Sequence, residues 1–178
     1  MSAEGILSEN ILIMDGALGT MLQTMGLKTG QSPMVMNLEA PDTVVALQRL
    51  YLEAGSQIIA ANSFGASEAF GRGEDPSESF TAAIKLAKKA AQPTGALVAA
   101  DIGPLGRLLE PMGNLTADEA YDLFAKQAVL AQEAGADIIY FETFTDLLEI
   151  KLGVLAAKAH TSLPVFASMS FEVTGRTF

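Results

Sequence analysis

Apolar residues gather in five short runs, at 11–17, 57–64, 96–102, 137–144 and 164–171. Most of these runs are continuous rather than alternating, which is the pattern of strands buried on both faces. Between them the apolar positions recur at helical spacing. Positions 42–54 follow Pro41 and place Val44, Leu47, Leu50, Tyr51 and Ala54 on one face. Positions 77–92 do the same with Phe80, Ala83, Ile84, Ala87 and Ala91. Thr116 and Glu119 have the spacing of a capping box, in which hydroxyl and carboxylate satisfy free N–H groups at a helix start. The stretch behind them carries Ala120, Leu123, Phe124, Leu130, Ala131 and Ala134 on one face, and 146–159 forms a fourth helical stretch.

One joint occurs twice. Residues 53–64 match 133–144 at an offset of 80, with Glu-Ala-Gly leading into an apolar run that ends in polar residues. Gly55 and Gly135 are expected to end their helices in the left-handed conformation. Alternating strands and helices imply a parallel sheet, either an open doubly wound sheet or a (β/α)8 TIM barrel. Every strand-like run ends in polar groups: Asp15, Asn62 with Ser63, Asp101, Glu142 with Thr143, and Ser168 with Ser170 and Glu172. A doubly wound sheet concentrates its site at one switch point, whereas a barrel collects it from many strand ends, so the pattern favours the barrel. A barrel needs about 250 residues. These 178 residues are therefore expected to form a single incomplete domain, 1–178, holding the first five strands and lacking three strand–helix units.

Composition narrows the function classes. Hydrophobic residues make up 49% and charged residues 18%, with a mean hydropathy of +0.30, enough to bury a large core. The formal net charge of −10 opposes nucleic-acid backbones and anionic membrane surfaces as partners. There is no cysteine, so the chain itself supplies no disulfide, thiolate nucleophile or Cys zinc ligand. Residues 1–10 lack a leader pattern, and no apolar run reaches the ~18 residues of a membrane span.

Candidate chemistry sits at the strand ends. The turn Asp15-Gly16-Ala17-Leu18-Gly19-Thr20 offers close backbone approach and free N–H groups, or is an ordinary turn capped by Asp15. Glu142 closes an apolar strand, where a carboxylate is costly without a cation, so it faces either a ligand ammonium group or a salt-bridge partner. Asn62 and Ser63 hold the equivalent place in the repeat, suited to a ligand carboxylate or to loop backbone. Asp101, before Gly103-Pro104, suits structural duty at least as well as ligand contact. The single histidine, His160, falls at a helix end away from these positions, and is expected to cap or face solvent.

Taken in order, several segments resemble the homocysteine S-methyltransferase family. They are Ile13-Met14-Asp15-Gly16-Ala17-Leu18-Gly19-Thr20, Asn37-Leu38-Glu39-Ala40-Pro41-Asp42, and Tyr51 through Ser67. Further on come Asp101-Ile102-Gly103-Pro104, Phe141-Glu142-Thr143-Phe144-Thr145-Asp146, and Phe166-Ala167-Ser168-Met169-Ser170-Phe171 with Gly175-Arg176-Thr177. The first motif and the Tyr51–Ser67 stretch look closest to the methionine synthase branch.

The resemblance implies a cytoplasmic enzyme of methionine biosynthesis that binds L-homocysteine at the mouth of a TIM barrel. It implies that Glu142 takes the substrate ammonium, with Asp15, Gly16, Thr20, Asn62 and Ser63 lining the pocket. It also implies a zinc ion that activates the thiol, held in the family by three cysteines from later strands. This chain has none of them, and it carries Ala61 where the family usually has Thr. No catalytic or metal-binding residue is therefore expected here, and the chain alone is expected to be inactive. The methyl donor stays open among methylcobalamin, folate-linked methyl, betaine and S-methylmethionine. Exposed interior surface and a free strand edge lead to an expectation of self-association or of a complementary barrel portion as partner. The alternatives are a non-catalytic amino-acid-binding or assembly half-barrel, and an unrelated doubly wound domain.

Overall fold

The computed structural model describes residues 11–177; the leader reading of residues 1–10 lies outside the described residues. Helix α1 (Leu18–Thr24) follows the first apolar run, and a 3-10 turn (Pro33–Val35) leads into α2 (Met36–Glu39) and α3 (Pro41–Glu53). Then come β1 (Ile58–Ala60), α4 (Ala66–Gly71), α5 (Ser77–Ala91) and β2 (Leu97–Ile102). The order closes with α6 (Ala117–Ala134), β3 (Ile138–Phe144), α7 (Leu147–His160) and β4 (Val165–Met169).

The four strands are parallel and lie in chain order, β1-β2-β3-β4. Among the described residues the order never reverses, so these strands form no switch point of the doubly wound kind. Side-chain alternation divides the sheet into two faces. Ile59, Val98, Ala100, Ile102, Ile139 and Phe141 pack with Phe80 and Ile84 of α5, Phe124 and Ala128 of α6, and Ala156 of α7 in the main core. The opposite residues, Ile58, Ala99 and Ile138, form a separate cluster with Met14, Tyr140 and Phe166, and no helix among the described residues contributes to it. Helices on one face of a sequentially ordered parallel sheet make a barrel sector, with the helix-free face as its interior.

Four of the five expected strands form, with shorter ends. The run at 11–17 does not become a strand. It makes one parallel bridge, Met14 to Ile58, before the chain turns into α1. The physical reason is visible at Asp15. Its N–H donates to Ile58 O at 3.0 Å, but its carboxylate then takes the N–H of Ala60 at 3.0 Å, the place a further strand carbonyl would occupy. The helix at 42–54 buries Val44 and Leu47 as expected, but its buried face is rotated towards Gln48 and Leu52. Leu50 is 52% exposed, and buried Gln48 turns inward and donates to Ala60 O. Three short helices, α1, α2 and α4, carry too few apolar repeats to have been expected.

The joints behave as their sequences dictate. Gly55 (φ 108°) and Gly135 (φ 92°) are left-handed, so helix passes to strand without a Cβ penalty. Thr116 Oγ1 accepts from Glu119 N at 3.1 Å at the start of α6, but the Glu119 carboxylate pairs with Arg107 instead of completing a capping box. Asp146 caps α7 by accepting from Leu148 N and Glu149 N. One helical turn in, buried Glu149 reaches across to the loop after β2 and accepts from Leu105 N at 2.7 Å. Burial raises the Glu149 carboxyl to about 7, against the lowering effect of that hydrogen bond.

Phe124, Phe141 and Phe144 form an aromatic triangle with centroids 5.7–5.9 Å apart. Gly153 of α7 admits the Phe141 ring, since a Cβ at this position would lie 2.8 Å from it. Gly153→Ala should therefore destabilise the fold by about 1–3 kcal/mol in urea denaturation, although alanine is the better helix former. A second outcome concerns pH. Glu149 has a raised carboxyl, so its contribution is full below its unfolded value of 4.5 and is lost as pH rises through about 7. Glu149→Gln should accordingly narrow the stability difference between about pH 5 and about pH 8 by ~1–3 kcal/mol. An unchanged difference in paired denaturation curves would exclude this role.

Candidate functional site

The interior face of the sheet carries the chemistry because of strand register. Asp101 of β2 lies beside Tyr140 of β3, so Asp101, Tyr140 and Glu142, two residues beyond Tyr140, all point to the helix-free side. At this end of the sheet they border an open cavity of about 1030 Å³. Asp15, Gly16, Asn62, Ser63 and Phe64 line the same cavity from the first two strand ends.

β3 is irregular around Glu142. Between Phe141 and Phe144 the β3–β4 register shifts, so that three residues of β3 advance against two of β4. Thr143 in this bulge is left-handed (φ 57°), a conformation that costs a threonine about 1–2 kcal/mol. Its N–H donates to Ser168 Oγ, which also accepts from the Tyr140 hydroxyl at 3.0 Å. The three-against-two step returns Phe144 to the helix side beside Phe141, while Glu142 keeps the interior side that alternation from Tyr140 gives it.

Three carboxylates thus converge. Asp15 is anchored by the Ala60 N–H, and burial raises it to about 7, with the negative charge of Glu142 adding to the effect. Asp101 is 6% exposed, and its Oδ1 has no hydrogen-bond partner. Burial holds Asp101 well above the usual carboxylate range, helped by the charge and hydrogen bonding of Glu142 and by Asp15. None of the three forms an ion pair among the described residues. Arg72 stands at the cavity edge, but its guanidinium is held by Glu68 and Glu74.

The neighbouring polar residues have their hydrogen bonds satisfied within the protein. Ser63 Oγ donates to Asp101 O at 2.8 Å and accepts from Asp101 N at 3.1 Å, tying the end of β2 to the turn after β1. Asn62 Nδ2 donates to Pro33 O and to Asn37 Oδ1, and Asn37 Nδ2 donates back to Asn62 O. Gly16 leaves room for the Tyr51 ring, 3.2 Å from where a Cβ would sit, and the Tyr51 hydroxyl donates to Ala17 O. Thr20 is exposed on α1 and does not line the cavity. Opposite Asn62, Phe64 packs over Gly103, where a Cβ would lie 2.7 Å from the ring. His160 is at the far end of α7, with Nε2 3.3 Å from the Tyr121 hydroxyl.

The site therefore brings Asp15, Gly16, Asn62, Ser63 and Glu142 together, leaves Thr20 outside, and adds Asp101. The signal for Asp101 was present in the sequence: it ends an apolar run as Glu142 does. Only the register shows that both carboxyls share one face.

A family model described as homocysteine S-methyltransferase matches residues 12–178. Two curated relatives are methionine synthases. The one from Mycobacterium tuberculosis is 30% identical over 193 aligned positions, covering 96% of this chain and 16% of its own length. The Mycobacterium leprae protein is 28% identical, covering 95% of this chain and 16% of its own length. The chain thus spans about a sixth of the length of these relatives. Among solved structures, the homocysteine methyltransferase MmuM from Escherichia coli superposes in its metallated form with a TM-score of 0.82 at 21% identity. The match covers 97% of this chain and 68% of that one. Its oxidized form gives 0.82 at 22% identity, covering 97% and 66%. At that identity the superposition establishes the shared fold, a partial TIM barrel.

Proposed function

Since the chain belongs to the homocysteine S-methyltransferase family, we propose that its carboxylate-lined cavity binds the amino acid end of L-homocysteine, the methyl acceptor in methionine formation. The observation that carries this reading is the convergence of Asp15, Asp101 and Glu142 on one cavity without a paired cation among the described residues. A ligand ammonium supplies the missing positive charge, and a charge-assisted hydrogen bond in a partly desolvated site is stronger than its exposed counterpart. In this reading Glu142 and Asp15 hold the ammonium. Gly16 keeps the turn open beside it, Asn62 and Ser63 fix the cavity wall, and Thr20 acts from outside on the turn that α1 begins.

Thiol activation lies with groups this chain does not offer. Zinc does not fit the residues present: there is no cysteine in the sequence, and no cluster of three or more His, Asp or Glu suited to a metal among the described residues. We assign the sulfur end of the substrate and its methyl donor, methylcobalamin or another, to further barrel units that carry cysteines. The free side of β4 supports this assignment, since β3 is its sole ladder neighbour among the described residues. Leu147, Leu148 and Leu155 are exposed on the adjoining helix. The same edge suits a second copy of the chain. The lack of thiolate ligands equally favours a non-catalytic amino-acid-binding half-barrel.

Calorimetric titration with L-homocysteine tests the reading. Zinc-independent binding is expected, weakened at least about tenfold in Glu142→Gln, as loss of a charged hydrogen bond predicts. No binding by a folded chain would sink it. Adding a polypeptide that supplies the cysteine-bearing barrel units should restore methyl transfer; binding without restored transfer would favour the half-barrel.

A further inference from the structure

Asp101 and Glu142 present a problem of charge. They stand on adjacent parallel strands, on the same face, in a diagonal relation set by the Asp101–Tyr140 register. Asp101 is 6% exposed, and its Oδ1 has no hydrogen-bond partner among the described residues although the residue borders the cavity. Asp15 adds a third carboxylate, fixed in place by the Ala60 N–H. The other titratable groups facing the pair do not relieve it. The Tyr140 hydroxyl donates to Ser168 Oγ, and the Tyr51 hydroxyl donates to Ala17 O. Glu68 and Arg72 at the cavity edge pair with each other. A buried Asp101 carboxyl beside a second carboxylate, with no ion-pair partner among the described residues, favours its protonated form.

We propose that Asp101 is a specificity-determining residue: in the empty cavity it shares one proton with Glu142, and a ligand enters with its ammonium group by displacing that proton to bulk water. This rests on the ammonium-binding reading and deepens it. The balance is simple. The O–H bond of the shared carboxylic acid breaks, its proton passes to solvent, and both carboxylates then accept hydrogen bonds from the ligand N–H groups, with no electron transferred. Selectivity follows from the same exchange. An –NH3+ group compensates the charge that the departing proton uncovers, whereas a hydroxyl analogue of the ligand carries no charge and must leave the proton in place. The raised position of the Asp101 carboxyl, caused first by burial and then by Glu142, agrees with the shared proton.

The experiment is titration of the chain with L-homocysteine in buffers of different ionisation enthalpy. Release of about one proton per ligand is expected, with affinity rising up to about tenfold per pH unit through the acidic range. The isosteric Asp101→Asn should lower proton release to the share that Asp15 supplies and flatten the pH profile while binding persists. Binding without proton release, or equal release from Asp101→Asn, overturns the proposal while leaving ammonium binding intact. If no ligand binds, the ammonium reading fails by itself, and carboxyl carbon NMR of the ligand-free chain still decides the present point. Two coupled titration steps for Asp101 and Glu142 support the shared proton, and two independent steps in the ordinary carboxylate range refute it. The same measurement on wild type covers the case in which Asp101→Asn does not fold.

Discussion

The gathering of three carboxylates at one end of the sheet, with no cation paired to them among the described residues, is the constraint around which the strand ends are organised. Each acid is held by an element that does nothing to neutralise it. Asp15 is fixed by a backbone N–H of β1, Asp101 by its place inside β2, and Glu142 by its place in β3, beside a bulge whose threonine adopts a left-handed backbone. Asp15 and Asp101 oppose folding at neutral pH, because burial favours their protonated forms and deprotonation weakens the native state. A scaffold selected for stability alone would set a lysine or arginine among them. The arginine at the cavity edge is instead held by two exposed glutamates.

The rest of the molecule supplies the rigidity that this arrangement needs. All the large helices cover one face of the sheet, so the main core is built without drawing on the interior face. That division lets the interior carry polar groups at its open end while Ile58, Ala99 and Ile138 close it lower down. Two buried polar contacts then tie the strand ends together. Ser63 bridges to the backbone of Asp101, and Glu149 holds the loop after β2 by Leu105 N. Neither contact needs a ligand, so the cavity is formed before anything enters it. Preformed sites of this kind spare the ligand the cost of ordering the protein around it.

The alternation of strands and helices was legible because the apolar runs are continuous and the helical faces regular. Helices 77–92 and 146–159 and the strand at 137–144 appear within a residue or two of their expected bounds. The choice of a barrel sector over a doubly wound sheet was also within reach, since polar residues end every run. What failed did so where a side chain replaces backbone. Asp15 intercepts the Ala60 N–H and stops the first strand at a single bridge, and no hydrophobic pattern encodes that substitution. Gln48 failed for the same reason. Its amide turns inward to Ala60 O, which rotates the buried face of α3 away from Leu50. The partnership of Asp101 with Glu142 depends on inter-strand register, which a single strand's sequence does not contain.

The internal repeat shows how one scaffold joint comes to serve two purposes. Asn62 and Glu142 are equivalent in the repeat, and both follow a left-handed glycine and a run of apolar strand residues. After β1 the strand ends at Ala60 and the chain turns at once, so Asn62 faces Pro33 and Asn37 and joins the segment before α3 to the sheet. After β3 the strand continues to Phe144 through the bulge, so Glu142 stays on the interior face beside Asp101. The divergence comes from what lies next to each strand end. Beside β1 the preceding segment supplies amide and carbonyl partners that satisfy a neutral side chain. Beside β3 there is an open cavity and another carboxylate, and there the glutamate has no ion-pair partner among the described residues.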